Sequence, residues 1–354
     1  GHLFHAPGMH GLGFNLHYAT HFLAWGLALG KAPVIVEGEG LGSWTYRGPE
    51  CTLDQGWECL LEPLTPCHFL GLHVRLDGEK GSSADGEKGS NADGDNGSNA
   101  WLLDGERKVR VAVHTREDGI FNASLKPPSP YDAKIDGHAT HGAFWWRAEL
   151  AGAAIRPNSR LRAILRAIRG GLGLRGPYIS VHVRRGDSCT HANRHVVETL
   201  HKREGAAGAS AMSACADVEE YVTAATTLRD RYGVSKVFLA TDDAGAVHRF
   251  KETGMEVRYL DLDRSALFNS SWLIEHRIAT QSIDTDTAAL SAFVDLLLLS
   301  EGDFFVGSFG GHLSRLALEL MAAHKGFVPP YISVDRAWCF EAMRDYGTGF
   351  IDFC

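Results

Sequence analysis

Apolar residues recur along this chain with helical and strand spacings, and these regions define its predicted elements. A glycine turn leads into an apolar helix over residues 11–30, and a short buried strand follows over residues 32–37. Another strand is predicted over residues 108–114, and helices are predicted over residues 143–155 and 159–169. This order of elements indicates an open α/β domain in the N-terminal part of the chain.

In the C-terminal part of the chain, segments with strand spacing of apolar residues alternate regularly with segments of helical spacing. Strands are predicted over residues 178–184, 236–241, 256–260 and 303–306, and helices over residues 217–232, 244–253, 287–300 and 311–324. Strands that alternate with helices imply a Rossmann-like, doubly wound parallel sheet, and such sheets bind ligands at the carboxyl ends of their strands. The residues that follow each strand are therefore the candidates for chemistry.

We predict an α/β fold with two domains. The first covers residues 1–170 and the second covers residues 171–354, and the glycine-rich stretch at residues 170–176 is their predicted junction. Residues 77–100 repeat an octet three times (DGEKGSSA, DGEKGSNA, DGDNGSNA) without a large apolar side chain. Since such a segment has little to offset the entropy of ordering, we predict a disordered surface insertion there.

Composition narrows the classes of function. The chain has 354 residues, a net charge of −8 and 44% hydrophobic residues, and the octet repeat with its six acidic residues and two lysines contributes −4 of that charge. The rest is close to neutral, which argues against a nucleic-acid partner. Because the longest apolar run near either end, residues 22–29, is far shorter than a membrane span, no membrane contact is expected within this sequence.

Seven cysteines are present without closely spaced CxxC pairs. Their spacing argues against a zinc ribbon and leaves disulfides or buried thiols as the two interpretations, with disulfides favoured.

The strongest candidate site follows the strand over residues 178–184 in the sequence YISVHVRRGD. Strand alternation places His182 and Arg184 on the same face at the ligand end. Arg184 offers a planar fork of donors suited to a diphosphate, and Arg185 adds a second cation. The alternative is an arginine pair held in a salt bridge with Asp187.

Three further strand or helix positions carry candidate chemistry. Ser308 and the glycines of GSFGG precede a helix N-terminus and predict a phosphate cradle. Asp295 lies in a helix that is apolar on nearly all sides, so it either accepts the paired N–H groups of guanine or forms a structural cap or ion pair. Asp242 and Asp243 either bind sugar or ribose hydroxyls or cap the next helix.

Two Asp-X-Asp triplets, at residues 261–263 and 284–286, fit the pattern that holds a diphosphate through a divalent cation. Since such triplets are common in acidic loops, we predict no metal site.

Several motifs occur together in one order: GWECLLEPLTPC at residues 56–67, FWWRAELAGAAIRPN at 144–158, then VHVRRGD, VFLATDD and AFVDLLLLSEGDFFVGSF. In these motifs the sequence resembles the core α1,6-fucosyltransferases and their bacterial Nod-factor relatives, which are GT-B-like glycosyltransferases. The resemblance implies an enzyme that transfers fucose from GDP-fucose with inversion and needs no metal or other cofactor. It further implies an N-glycan GlcNAc as acceptor, bound on the side of the N-terminal domain.

The resemblance also assigns roles to residues. Arg184 and Arg185 are expected to stabilise the departing GDP. The resemblance implies that Arg184 binds the donor β-phosphate, that His182 and Asp295 hold guanine, and that Ser308 contacts the diphosphate. Our further candidates for donor binding are Asp242, Asp243, Gly13 and Asn15. The family further implies the Golgi lumen and a type II membrane protein whose anchor lies outside this sequence.

The sequence departs from the family pattern after the paired arginines. Gly186, Asp187 and Ser188 stand where the core enzymes have Thr-Asp-Lys, and about twenty inserted residues follow. Glu198 is our candidate for the general base, with Glu204 as the alternative, although neither matches the family's glutamate by position. An α1,2-type fucosyltransferase, or a non-catalytic relative that binds a GDP-sugar or glycan, remains an alternative function.

Overall fold

The structure is a computed structural model. It describes residues 2–5, 11–29, 32–35, 51, 56–63, 73–76, 99–104, 107–114, 141, 143–189, 215–268 and 274–335.

The N-terminal part contains a sheet of five described strands. They are β1 (His2–His5), β2 (Ala32–Ile35), β3 (His73–Leu76), β4 (Asn99–Asp104) and β5 (Arg107–His114), in the order β2-β1-β5-β4-β3. The β1 strand is parallel to both β2 and β5, whereas β3, β4 and β5 form an antiparallel ribbon.

Strands β3 and β4 flank the octet repeat. They pair with each other from His73↔Leu103 to Leu76↔Ala100, so the repeat connects two neighbouring antiparallel strands. Since β4 begins at Asn99, the last two residues of the predicted insertion belong to a strand. Residues 77–98 lie outside the described residues.

Three helices and a 3₁₀ turn are the other elements that the structure describes in the N-terminal part. They are α1 (Leu12–Leu29), the 3₁₀ turn Gly56–Cys59, α2 (Ala143–Ala154) and α3 (Ser159–Leu172). Asn158 caps α3 by accepting a hydrogen bond from the Leu161 N–H at 3.0 Å, and Gly173 ends the helix in the left-handed conformation.

The C-terminal part is a parallel sheet with helices between its strands. Its described strands are β6 (Ile179–Val183), β7 (Lys236–Thr241), β8 (Glu256–Arg258), β9 (Phe304–Gly307) and β10 (Tyr331–Ser333), in the order β10-β9-β6-β7-β8. Its helices are α4 (Val218–Tyr232), α5 (Ala244–Lys251), α6 (Arg264–Leu267), α7 (Ile274–Ala279), α8 (Thr285–Ser300) and α9 (His312–Lys325). All four described strand pairings are parallel.

The two faces of this sheet belong to different cores. Ile179, Val181 and Val183 of β6 pack on one face with residues of α4 and α5. On the other face, Phe238 and Phe305 join a larger core built from α1, α2, α3, α8 and α9. The predicted alternation along β6 is thereby confirmed, because it places the His182 side of the strand against α8 and α9.

The predicted α/β class and the parallel C-terminal sheet are confirmed. Among the predicted elements, the described bounds of α1, α2, α3 and α9 differ from prediction by one to three residues, and those of β7 agree. The prediction omitted the short strands β1, β3, β4 and β10 and the short helices α6 and α7.

The division at residue 170 stays a prediction. Helices α2 and α3 contribute Phe144, Ala151, Leu161 and Leu165 to the core that also holds α8 and α9. These two helices therefore pack against the C-terminal sheet layer.

Four of the seven cysteines form disulfides, Cys51–Cys59 and Cys189–Cys215. This confirms disulfides over thiols at these positions, and Cys67, Cys339 and Cys354 lie outside the described residues. In the part of the chain that the structure describes, no helix is both long and apolar enough to cross a bilayer.

Candidate functional site

The order of the parallel sheet identifies one crevice. From β6 the chain moves through β7 to β8 on one side, and then returns to β9 on the other side of β6. Parallel α/β sheets bind ligands at such a reversal, outside the carboxyl ends of the two strands that flank it. Arg184 follows β6 and Ser308 follows β9, so two predicted site residues lie at this position.

Arg184 is held between two carboxylates. Its Nη1 donates to Asp242 Oδ2 at 2.5 Å, and its Nη2 lies 2.5 Å from Asp187 Oδ1. Burial opposes the charge of the guanidinium, but Asp187 and Asp242 outweigh it and raise the pKa of Arg184 above its ordinary value. The side chain is 30% exposed, so donors on the same fork remain accessible to a ligand.

The absence of a side chain at Gly186 allows this arrangement. A Cβ at Gly186 would lie 2.7 Å from Asp242 Oδ2, so any larger residue would displace that carboxylate. The glycine that stands in place of the family's threonine is therefore coupled to the position of Asp242.

Arg185 points away from Arg184 toward the start of α4. Its Nη1 donates to the Ala216 carbonyl at 2.6 Å and to Asp217 Oδ1 at 3.3 Å, and its Nε lies 3.3 Å from Asp243 Oδ2. Its backbone N–H donates to Asp242 Oδ1 at 2.8 Å. In this structure Arg185 fixes the loop that carries Arg184.

His182 is buried on the same face of β6 as Arg184. Its Nδ1 lies 2.6 Å from the Ser314 hydroxyl in the first turn of α9. Burial lowers the pKa of His182 to about 4, and Arg184 acts in the same direction against the opposing charge of Asp242. The ring is therefore neutral at physiological pH and has one nitrogen able to donate.

The predicted phosphate cradle after β9 contains a protein carboxylate. Asp335 accepts hydrogen bonds from the Ser308 hydroxyl at 2.5 Å, from the Phe309 and Gly310 N–H groups at 2.8 Å each, and from the Ser333 hydroxyl at 2.9 Å. Burial opposes its ionisation, but these donors hold the pKa of Asp335 below its usual range. In this structure these donors bind an aspartate of the same chain, and their predicted contact with a phosphate stays a prediction.

Asp295 is the carboxylate predicted to meet guanine. Its Oδ1 is buried and has no hydrogen-bond partner among the described residues. Burial raises the pKa of Asp295 to about 8, and the charge of Arg264 acts weakly against it. An unpartnered buried acceptor is costly, so this atom fits a ligand that supplies N–H donors.

The two aspartates after β7 have different roles. Asp242 binds Arg184, as described above, whereas Asp243 caps α5 by accepting a hydrogen bond from the Gly245 N–H at 2.7 Å. The sequence left two roles open for Asp243, and the structure contains one of them, the helix cap.

Gly13 and Asn15 both lie in the first turns of α1 and are buried. A Cβ at Gly13 would lie 2.7 Å from the Leu313 backbone N, so this glycine permits α1 to approach the start of α9. Their predicted contact with the donor stays a prediction, and the predicted base Glu198 lies outside the described residues.

Sequence reasoning missed two contributors to this site. Asp335 was not considered because it lies more than twenty residues beyond the loop that it holds. Asp187 was considered only as a salt-bridge partner, and that ion pair is present; the residue also accepts a hydrogen bond from the Ile274 N–H of α7 at 2.8 Å. The signal that could have identified its wider role is its place directly after a strand end.

Among the described residues, no group of three or more histidine, cysteine, aspartate or glutamate side chains is arranged to hold a metal ion.

Fold and site together define a class: an α/β protein with a parallel, doubly wound sheet and an arginine held for an anion at its switch point. The family described as alpha-(1,6)-fucosyltransferase N- and catalytic domains matches residues 127–335 of this chain. The chain belongs to that family, which confirms the resemblance found in the sequence.

A curated relative from Drosophila melanogaster, an alpha-(1,6)-fucosyltransferase, is 27% identical over 223 residues. The match covers 57% of this chain and 31% of the relative, so the chain spans about a third of that protein's length.

The solved structures that match include NodZ and POFUT1. NodZ alpha-1,6-fucosyltransferase soaked with GDP-fucose is 13% identical with a TM-score of 0.43, covering 90% of this chain and 92% of NodZ. POFUT1 without ligand is 12% identical with a TM-score of 0.46, covering 94% of this chain and 97% of POFUT1.

Proposed function

We propose that this chain transfers L-fucose from GDP-fucose to a glycan acceptor. The observation that carries the proposal is the position of Arg184, held by Asp187 and Asp242 at the switch point of the sheet in a chain of this family. The donor's diphosphate would accept hydrogen bonds from the remaining N–H groups of Arg184, which would stabilise GDP as it departs.

The guanine of the donor would bind on the face of β6 opposite to the face that packs against α4. Guanine offers N1–H and amino donors side by side, and the unpartnered Oδ1 of Asp295 and the neutral ring of His182 are the groups that would meet the base. Because guanine and not uracil presents this donor pair, the arrangement favours a GDP-sugar over a UDP-sugar.

The finer points of the proposal follow the family. We propose inversion at the anomeric carbon, with Arg184 supplying the charge that a metal supplies elsewhere, and α1,6 linkage to an N-glycan GlcNAc. We also propose the Golgi lumen as its compartment, as a type II membrane protein when full length. The two disulfides support an oxidising compartment.

The decisive experiment measures nucleotide release in EDTA from GDP-fucose, GDP-mannose, UDP-sugars and NAD, with and without mixed N-glycan acceptors. Acceptor-stimulated release from GDP-fucose alone is the expected result. Linkage analysis of the product then separates α1,6 from α1,2 transfer. Tight GDP binding without turnover would instead identify a non-catalytic relative.

The anion site is tested by Arg184→Lys, which keeps the charge but cannot span Asp187 and Asp242. We expect GDP affinity to fall about 10- to 100-fold, as for the loss of one or two charged hydrogen bonds. Arg166→Lys, on the exposed side of α3, is the matched control and should bind GDP like the wild type. Equal affinity in a folded Arg184→Lys variant would contradict the proposal.

A further inference from the structure

Transfer of a sugar to a hydroxyl releases the hydroxyl proton, so the proposed function requires a group that accepts it. Three carboxylates act electrostatically on Arg184, where the donor's phosphate would lie: Asp187, Asp242 and Glu275. The inference below rests on the proposed function and concerns the choice among these three.

Asp187 and Asp242 already use both of their oxygens. Asp187 binds Arg184 through Oδ1 and the Ile274 N–H through Oδ2. Asp242 binds Arg184 through Oδ2 and the Arg185 N–H through Oδ1. Since protonation of either carboxylate would break its ion pair with Arg184, neither is suited to accept a proton during turnover.

Glu275 differs from these two in its contacts. It lies in the first turn of α7, next to the residue whose N–H binds Asp187, so one hydrogen bond fixes its helix to the arginine loop. Its carboxylate accepts from its own backbone N–H and is subject to the charge of Arg184 without an ion pair to it in the structure. The carboxylate is therefore near the cation but not bound by it.

Glu275 also lies beside the opening of α1. A Cβ at Gly11 would lie 3.0 Å from Glu275 Oε1, so the carboxylate and the backbone that leads into α1 are in close contact. The glutamate thus occupies the space between Arg184 and the N-terminal turn predicted to contact the donor. A sugar attached to a phosphate at Arg184 would extend into this region.

Burial favours the protonated form of this carboxylate. It raises the pKa of Glu275, against the opposing effects of its backbone N–H and Arg184, while Asp187 adds to the increase. The charged groups that face it are Arg184, which follows β6, and Asp187, the first residue of a second 3₁₀ turn, Asp187–Cys189. A carboxylate with a raised pKa is a stronger base than an exposed glutamate.

We propose that Glu275 is the general base of the transfer, a catalytic residue that removes the proton from the acceptor hydroxyl. The hydroxyl oxygen forms a bond to C1 of fucose as its proton passes to the Glu275 carboxylate. The bond between C1 and the phosphate oxygen breaks, and GDP leaves with that electron pair.

The test compares Glu275→Gln and Glu275→Ala with wild type, with Glu198→Gln, and with Glu256→Gln. Glu256 is an exposed carboxylate at the amino end of β8, on the opposite edge of the sheet, and serves as the matched control. GDP binding by calorimetry reports whether the donor site is intact, and GDP release with acceptor reports transfer.

We expect Glu275→Gln to bind GDP within about threefold of wild type and to lose about 10² to 10⁴ in transfer rate, the usual range for a general base. Azide carries no proton, so it should restore GDP release to Glu275→Ala and yield fucosyl azide. The acid limb of the wild-type pH profile should be absent from this azide reaction, because no carboxylate then needs to be ionised.

Several outcomes would overturn the assignment. Wild-type transfer rates in Glu275→Gln, or the corresponding loss of transfer in Glu198→Gln instead, would place the base elsewhere. A folded, GDP-binding Glu275→Ala variant that azide does not restore would show a structural role. If wild type itself transfers nothing and azide releases no GDP from any variant, the proposed function fails together with the base.

Discussion

The unpartnered oxygen of Asp295 is the residue-scale feature with the clearest link to a ligand. Its Oδ1 is buried in α8 without a hydrogen bond among the described residues. Burial of an acceptor without a partner costs about 1–3 kcal/mol, so a ligand that donates to it recovers part of that free energy on binding.

This feature predicts that GDP binding releases a proton. In the free protein the pKa of Asp295 is raised to about 8, so the carboxyl is protonated at pH 7. Guanine N–H donors favour the ionised form and therefore lower that pKa in the complex. GDP affinity should accordingly rise with pH up to about 8, by at most about tenfold per pH unit.

Calorimetry at pH 7 in buffers of different ionisation enthalpy measures the released proton directly. Asp295→Asn should bind GDP without proton release and without this pH dependence. Proton uptake, or no exchange in the wild type, would contradict the guanine assignment.

The carboxylate of Asp335 makes a second residue-scale prediction. Asp335→Ala leaves two backbone N–H groups and two hydroxyls without their acceptor, so we expect the free energy of unfolding to fall by about 2–3 kcal/mol. Urea denaturation measures the loss. Asp261→Ala removes an exposed carboxylate that follows β8, at the opposite edge of the same sheet from β10, and should change stability by less than about 0.5 kcal/mol.

At the scale of elements, the approach of α1 to α9 depends on one glycine. A Cβ at Gly13 would lie 2.7 Å from the Leu313 backbone N and 3.0 Å from its Cα, so the backbone itself would have to move. The same helices are joined by a buried contact in which His17 Nε2 lies 3.0 Å from Glu319 Oε1. The fit between these helices positions the opening turn beside the arginine site.

Gly13→Ala should therefore destabilise the protein by about 1–3 kcal/mol, as overpacking does, although alanine is the better helix former. Gly170→Ala is the matched control, because a Cβ there meets nothing within 4 Å and α3 should gain up to about 1 kcal/mol. Thermal unfolding of both variants measures the contrast. Equal melting temperatures would show that α1 can shift without cost.

The sequence predicted those elements whose hydrophobic pattern lies within their own residues. β6 alternates apolar and polar side chains, β7 is largely apolar, and α4 and α9 have helical spacing with clear ends, so their own residues define them. β10 has three residues and pairs only with β9 among the described strands, so its conformation depends on a neighbour distant in sequence. The same limit applies to the site, since Arg184 was predicted from its strand whereas Asp335 and Glu275 reach it through tertiary contacts.

At the scale of the whole molecule, the two disulfides should contribute unequally to the free energy of unfolding. Cys189–Cys215 spans 26 residues and Cys51–Cys59 spans 8. Chain-entropy estimates give about 3.5 kcal/mol for the longer loop and about 2.5 kcal/mol for the shorter one. Replacing Cys189 and Cys215 with serine should thus lower the free energy of unfolding by about 1 kcal/mol more than the same change at Cys51 and Cys59.

Urea denaturation of the two double variants, without reductant, measures this difference. The reverse ranking would mean that local packing around Cys51 outweighs loop length.

The Cys189–Cys215 bridge also has a consequence for protein engineering. It holds the Cα atoms of Cys189 and Cys215 at 5.6 Å, after the arginine loop and before α4. Because the disulfide fixes the separation of these two cysteines, we expect an exchange of residues 190–214 to leave the described strands on either side unchanged. The bridge therefore defines a graft point at which this segment can be replaced.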